Sequence, residues 1–214
     1  MAETPPRIIL ASTSPWRIQM LRAAGVGAEG VDPGVDEAPI VHESPAEMAW
    51  LRADAKARAV AARFPHAVIV GADQVCWSPA TPDAPAMVFH KPKDAANHLE
   101  QLLTLAGRRH QLSTAVAVRG NGTLCRYVEH SAVTLRAAPV EELRAYVESG
   151  EGRGCAGGYQ VEGTGSWLID RIDGDWFNVV GLPLFGVLSI LRTFGATPPF
   201  LRASIALARA GRMA

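Results

Sequence analysis

The feature that most restricts the fold of this chain is a change of hydrophobic rhythm along its length. The first half sets short β-branched runs directly against helices with clear start signals. The second half opens with two long alternating segments that meet across a tight turn. Arg7–Ala11 (RIILA) reads as a buried strand. Ser14 then suits an N-cap, Pro15 the first helical position and Gly25 the stop. Gly27–Pro39 reads as a loop. Ser44-Pro45-Ala46-Glu47 is a capping box that predicts a helix to about Phe64, with Lys56 at the border of an apolar stripe of Met48, Leu51, Ala55 and Ala59. Ala67–Val70 predicts a strand that ends at Gly71-Ala72-Asp73, and Ser78–Pro85 an exposed loop. Asp94–Ala106 predicts a helix with Leu99, Leu102 and Leu103 inward, closed by Gly107. Gln111–Arg119 and Thr123–Leu135 flank Gly120-Asn121-Gly122, a hairpin signal. A helix is expected at Pro139–Ser149, a strand at Ser166–Ile172, a turn at Asp173-Gly174-Asp175 and a core helix at Pro183–Phe194. Strand–helix units combined with a hairpin imply an α/β protein, a mixed sheet flanked by helices around a central cleft. Residues 1–196 are expected to form one domain of two lobes, with 197–214 as a helical extension.

Charge narrows the range of partners. Acidic and basic residues balance at 21 each, which excludes a protein that coats nucleic acid by a basic excess. Phe177–Leu191, the longest uncharged apolar stretch, is broken by Gly181, Pro183 and Gly186 and is too short to cross a bilayer. Three scattered cysteines without a CxxC pair fit reduced thiols, and the expectation is a soluble cytoplasmic protein without a membrane partner. Of the 21 basic residues only three are Lys: Lys56, Lys91 and Lys93. Where so few are kept, their positions carry information.

Several segments offer chemistry, each with a plainer alternative. Ser12-Thr13-Ser14 and Arg17 crowd a helix N-terminus, where free N–H groups and the positive dipole end suit an anion. Arg17 in the first turn opposes that dipole unless an anionic ligand joins it. The alternative is a serine-capped helix with a solvated Arg. Asp73 follows an apolar run and would reach the carboxyl edge of a sheet, although aspartate there also forms turns. Lys91 and Lys93 flank Pro92 and offer point charges for phosphate, or form a basic loop. Lys56 either enters a cleft or snorkels. Glu37, in Val35-Asp36-Glu37, could share a divalent ion with Asp73 or stay solvated. No GxxxxGK[ST], HExxH or GxSxG motif occurs, and the six histidines lack metal-ligand spacing and read as surface or core fillers.

In their order along the chain these pieces resemble the Maf family of nucleoside triphosphate pyrophosphatases. The residues that carry the resemblance are LASTSPWR (Leu10–Arg17), VDE (Val35–Glu37), AKA (Ala55–Ala57), GADQV (Gly71–Val75), HKPK (His90–Lys93), AGGYQVEG (Ala156–Gly163) and RIDGDWFNVVGLPL (Arg171–Leu184). The resemblance implies a two-lobed α/β fold of the Maf and ITPase-like kind, usually a homodimer, with magnesium or manganese as cofactor. It implies cleavage between the α- and β-phosphates to a nucleoside monophosphate and pyrophosphate. On that pattern Ser12 and Arg17 hold the triphosphate, Lys56 and Lys91 offset charge on the leaving group, Asp73 accepts the proton of the attacking water, and Glu37 binds metal with Asp73.

Three positions bear on the base. Trp16, Gln74 and Glu162 look like the branch that acts on 7-methyl-GTP, where relatives acting on dTTP and UTP often carry Arg, Thr and Gln. A cationic 7-methylguanine can stack on an indole, and a carboxylate can accept from its N1–H and amine. The alternatives are a pyrophosphatase for dTTP/UTP or a broader set of modified nucleotides, and a non-catalytic regulator of septum formation.

Overall fold

The computed structural model describes residues 5–81 and 86–201. Its strands are β1 (Ile8–Leu10), β2 (Ala28–Gly30), β3 (Val68–Ser78), β4 (Met87–Phe89), β5 (Arg109–Gly120), β6 (Thr123–Leu135) and β7 (Ile169–Asp173). Its helices are α1 (Pro15–Ala23), α2 (Pro45–Ala61), α3 (Ala95–Leu105), α4 (Val140–Glu148), α5 (Trp176–Val180) and α6 (Leu184–Thr193), with a 3₁₀ turn at Thr164–Leu168. One mixed sheet runs β2-β1-β3-β5-β6-β7, and β4 pairs with β3 beside it. β1 is parallel to β2 and β3, and the remaining pairs are antiparallel. The expected α/β class and the hairpin are present, with Asn121 at φ 49° and Gly122 at φ 75° making its turn.

The pleat of β3 sorts the core. Val68, Val70 and Ala72 face Leu21 of α1, Val187 of α6 and Leu182 just before α6. Further along the same face, Cys76 meets Leu102 and Leu105 of α3 and Leu143 of α4. Ile69 and Val75 point the other way, against Met48, Ala49, Ala53 and Ala57 of α2. On α2 the buried side is therefore this alanine ridge with Lys56 and Val60, while Leu51 is exposed. Small side chains spaced four apart let the helix approach the sheet closely. At Gly71 a Cβ would lie 2.2 Å from the Ala53 carbonyl oxygen and 2.8 Å from the Ala57 Cβ.

Several expectations are corrected. β3 does not end at Asp73 but continues to Ser78, because β5 pairs with it from Ile69↔Arg119 to Trp77↔Gln111. The Gly27–Pro39 loop contains β2, an edge strand of three residues stabilised by its parallel partner and not by its own sequence. β4 follows the Ser78–Pro85 segment, of which residues 82–85 lie outside the described residues. Ser166–Ile172 is split between the 3₁₀ turn and β7. On α3, Leu103 is exposed and His98, Gln101 and Leu105 are buried instead. In the capping box Ser44 accepts from the Glu47 amide at 3.5 Å, but the Glu47 carboxylate pairs with Arg126. Of the extension expected over 197–214, residues 202–214 lie outside the described residues.

Candidate active site

Two short strands share one side of β3 and leave a gap between them. β1 covers Val68–Val70 and β4 covers Cys76–Ser78, so Gly71–Val75 have no strand partner on that side among the described residues. A cleft of about 990 Å³ wraps this uncovered edge and reaches residues on both faces of the sheet. Ser12, Trp16, Arg17, Glu37, Lys56, Asp73, Gln74, Lys91 and Glu162 all line it. The structure thus brings every expected site residue to one cavity.

Asp73 stands at the centre of the α2 side. Its Oδ1 accepts from Lys56 Nζ at 2.6 Å, and the same ammonium is 2.8 Å from Glu37 Oε1. Asp73 Oδ2 is buried and accepts no hydrogen bond. Burial pushes the Asp73 carboxyl above its ordinary value, against the pull of Lys56. Glu37, more open to water, is also raised by burial, but its hydrogen bond and charge contact with Lys56 win and hold it below the usual range. Two neighbouring carboxylates are thereby pushed apart in acidity, the arrangement in which one is suited to take a proton and the other to stay ionised. In the metal-free protein, carbon-detected NMR titration is expected to find Asp73 taking its proton above the ordinary 3.8. A midpoint below that value would mean that Lys56, not burial, dominates.

A further cation was missed. Arg52 lies one helical turn before Lys56, a spacing visible in the sequence, and its Nη1 sits 3.9 Å from Asp73 Oδ2. Its Nε donates to the Ile40 carbonyl at 3.0 Å, and Arg63, just past the end of α2, donates to that of Asp32, so the two arginines hold both ends of the loop that carries Glu37.

At the α1 N-terminus Ser12 is buried, and its Oγ accepts from the Ser14 amide at 3.1 Å. Ser14 makes no side-chain cap. Arg17 avoids the dipole by folding back: Nε donates to Gly181 O and Nη1 to Ala72 O, each at 2.8 Å. The second contact satisfies a carbonyl of the uncovered β3 edge and leaves Nη2 for a ligand. Lys91 lines the cleft as an exposed side chain after β4. Gln74 points to the face opposite Asp73, where its amide nitrogen donates to Thr114 Oγ1 and Asn178 O. Its carbonyl oxygen is the group left for a ligand.

Glu162 is exposed at the cleft, on a segment that buried side chains hold in place. Gln101 donates to Ala156 O at 2.7 Å and His98 to Gly158 O, where φ of +74° favours glycine. His110 Nε2 meets the Tyr159 hydroxyl at 2.6 Å, and burial pulls this imidazole down to about 4, so it stays neutral. Both histidines are core residues, as expected, and their ring nitrogens also hold this segment, a task that nothing in their sequence spacing marked.

The donor set suits a hard divalent cation that takes part of its shell from water and substrate. Among the described residues no three His, Cys, Asp or Glu side chains gather to form a self-contained metal site. Asp73, whose Oδ2 accepts no hydrogen bond, fits beside Glu37 an ion held by one or two carboxylates with water and substrate oxygens completing the shell, as magnesium is.

Comparison with known proteins gives the family of the chain. The family model described as Maf-like protein matches residues 7–194. A protein named dTTP/UTP pyrophosphatase from Symbiobacterium thermophilum is 41% identical over 88% of this chain and 94% of that one. A 7-methyl-GTP pyrophosphatase from Mesorhizobium japonicum is 41% identical over 89% of this chain and 97% of that one. A dTTP/UTP pyrophosphatase from Deinococcus radiodurans is 41% identical over 92% and 97%. The Staphylococcus aureus Ham1 protein superposes with a TM-score of 0.42 and 16% identity, over 62% of this chain and 73% of that one, too distant to inform the site. The chain belongs to the Maf-like family. No described helix is long and apolar enough to cross a membrane.

Proposed function

We propose that this chain is a metal-dependent nucleoside triphosphate pyrophosphatase that cleaves between the α- and β-phosphates and prefers 7-methyl-GTP. The observation that carries the reading is a buried Lys56–Asp73 pair opening onto a cleft whose other side presents Trp16 and Glu162. Arg17 Nη2 and the amides near Ser12 hold the triphosphate, joined by Lys91 and Arg52. Asp73, its carboxyl raised by burial, takes the proton of the attacking water. Lys56 keeps that carboxylate in place and offsets charge on the departing pyrophosphate. Asp73 Oδ2 and Glu37 would hold a magnesium or manganese ion, which when bound supplies charge stabilisation at the phosphates. Trp16 offers an indole face to a cationic base, a contact of about 0.5–2 kcal/mol, and Glu162 a carboxylate to its donor edge.

Relatives named for dTTP/UTP are as similar as one named for 7-methyl-GTP, which keeps a pyrimidine reading as the second choice. A pyrophosphate-release panel with magnesium decides between them. Fastest turnover is expected with 7-methyl-GTP. Faster turnover of dTTP and UTP would install the second reading, and release from no triphosphate would leave a nucleotide-binding regulator without catalysis.

A further inference from the structure

Beside the cleft lies a second cavity of about 540 Å³, which shares Trp16, Glu162 and Val180 with it. Its walls are mainly apolar, with Met20 and Ala23 from α1, Trp176 and Phe177 from α5 and Leu184 from α6. Gln19, Gln160 and Glu162 supply its polar groups. Apolar walls with a few polar groups are the usual make-up of a small-molecule site.

Two indoles line this cavity, and both are partly open, Trp16 at 39% and Trp176 at 46% exposure. Neither ring stacks on another aromatic ring or on a cation among the described residues. Trp176 is nevertheless well placed. Gly174 turns the chain at φ +121° against Ser131, Asp175 caps α5 by accepting from the Phe177 amide at 3.0 Å, and Asn178 Nδ2 donates to Ser131 Oγ and Leu112 O. A well-anchored backbone thus presents a large indole on which no ring or cation of the described residues stacks.

We propose that this cavity receives the base of the nucleotide, held between the indoles of Trp16 and Trp176 with the Glu162 carboxylate beside it. Trp176 is then a specificity-determining residue, and the ligand class is a planar ring carrying positive charge, such as an N-alkylated purine. Two π faces and a carboxylate each reward that charge, whereas a neutral pyrimidine gains only a smaller stacking area. Gln74 lines the cleft but not this cavity, and its amide nitrogen is already bound to the protein, so it does not take part in the clamp. The inference rests on the nucleotide reading above and adds to it the face that Trp16 lacks.

The test uses the full-length enzyme. Trp176→Ala should raise KM for 7-methyl-GTP roughly 3- to 30-fold with kcat little changed, the size of one cation–π contact. KM for dTTP should move less, and Trp176→Phe should recover part of the loss. The nucleoside 7-methylguanosine, which has no phosphate, should quench tryptophan emission in the wild type and less so in Trp176→Ala. Unchanged KM and unchanged quenching in Trp176→Ala overturn the proposal, as does a variant that loses self-association in sedimentation while base preference stays the same. A wild type that releases pyrophosphate from no triphosphate refutes the hydrolase reading instead, and quenching by the nucleoside still decides whether the cavity holds a base.

Discussion

Asp73→Asn is expected to lower kcat for pyrophosphate release by about 10²–10⁴-fold, the range of a positioned general base, while the melting temperature stays close to wild type. Asparagine has the size of aspartate and can keep an oxygen toward Lys56 Nζ, but it cannot accept a proton from water. The ammonium keeps its second partner, Glu37 Oε1 at 2.8 Å, so it is not left without an anion. The sign of the stability effect follows from the direction of the shift. Folding raises the Asp73 carboxyl above its ordinary value, so its contribution to stability is complete at low pH and falls as pH rises through the folded value. A variant with wild-type kcat would remove Asp73 from proton transfer, and one that melts far below wild type would make its role structural.

Gly71→Ala should damage the enzyme in a different way. The added Cβ would lie 2.2 Å from the Ala53 carbonyl oxygen, a backbone atom that yields only if α2 moves as a body. Overpacking of this kind costs about 1–3 kcal/mol, which for a domain of this size lowers Tm by roughly 2–12 °C. The same displacement carries Lys56 and Arg52 away from Asp73, so kcat should fall even at temperatures where the variant is fully folded. Gly27→Ala is the matched control. Nothing lies within 4 Å of a Cβ there, and it should leave both Tm and kcat unchanged. If Gly71→Ala behaves like Gly27→Ala, the close seating of α2 does not position the catalytic pair.

How far the sequence could be read depended on whether a signal was local. Ser44-Pro45 marked the start of α2, Asn121-Gly122 marked the hairpin, and both are where they were expected because caps and turns are specified by their own residues. β2 and β4 are three residues each and exist through pairing with distant strands, so their own composition announced nothing. Gly71 misled for a related reason. In isolation Gly-Ala-Asp after an apolar run reads as the end of a strand, but here Gly71 is the low point of a longer one over which α2 passes. At the site, Lys56 and Asp73 were legible as chemistry-bearing residue types in motifs, and Arg52 was available from helical spacing. His98, Gln101 and His110 were not, because their task depends on a segment about 50 residues away in the chain.

The way that segment is held has its own consequence. Gln101 and His98 donate to the main-chain oxygens of Ala156 and Gly158, and every residue type supplies such an oxygen. Anchors of this kind do not register which side chains follow at Gln160 and Glu162. Side chains at these positions can therefore be replaced one at a time without loosening the attachment of the segment to α3. On the function proposed above, a segment held to α3 through its main-chain oxygens leaves selection free to retune the base that Glu162 meets, while Lys56 and Asp73 on the other face of β3 stay as they are.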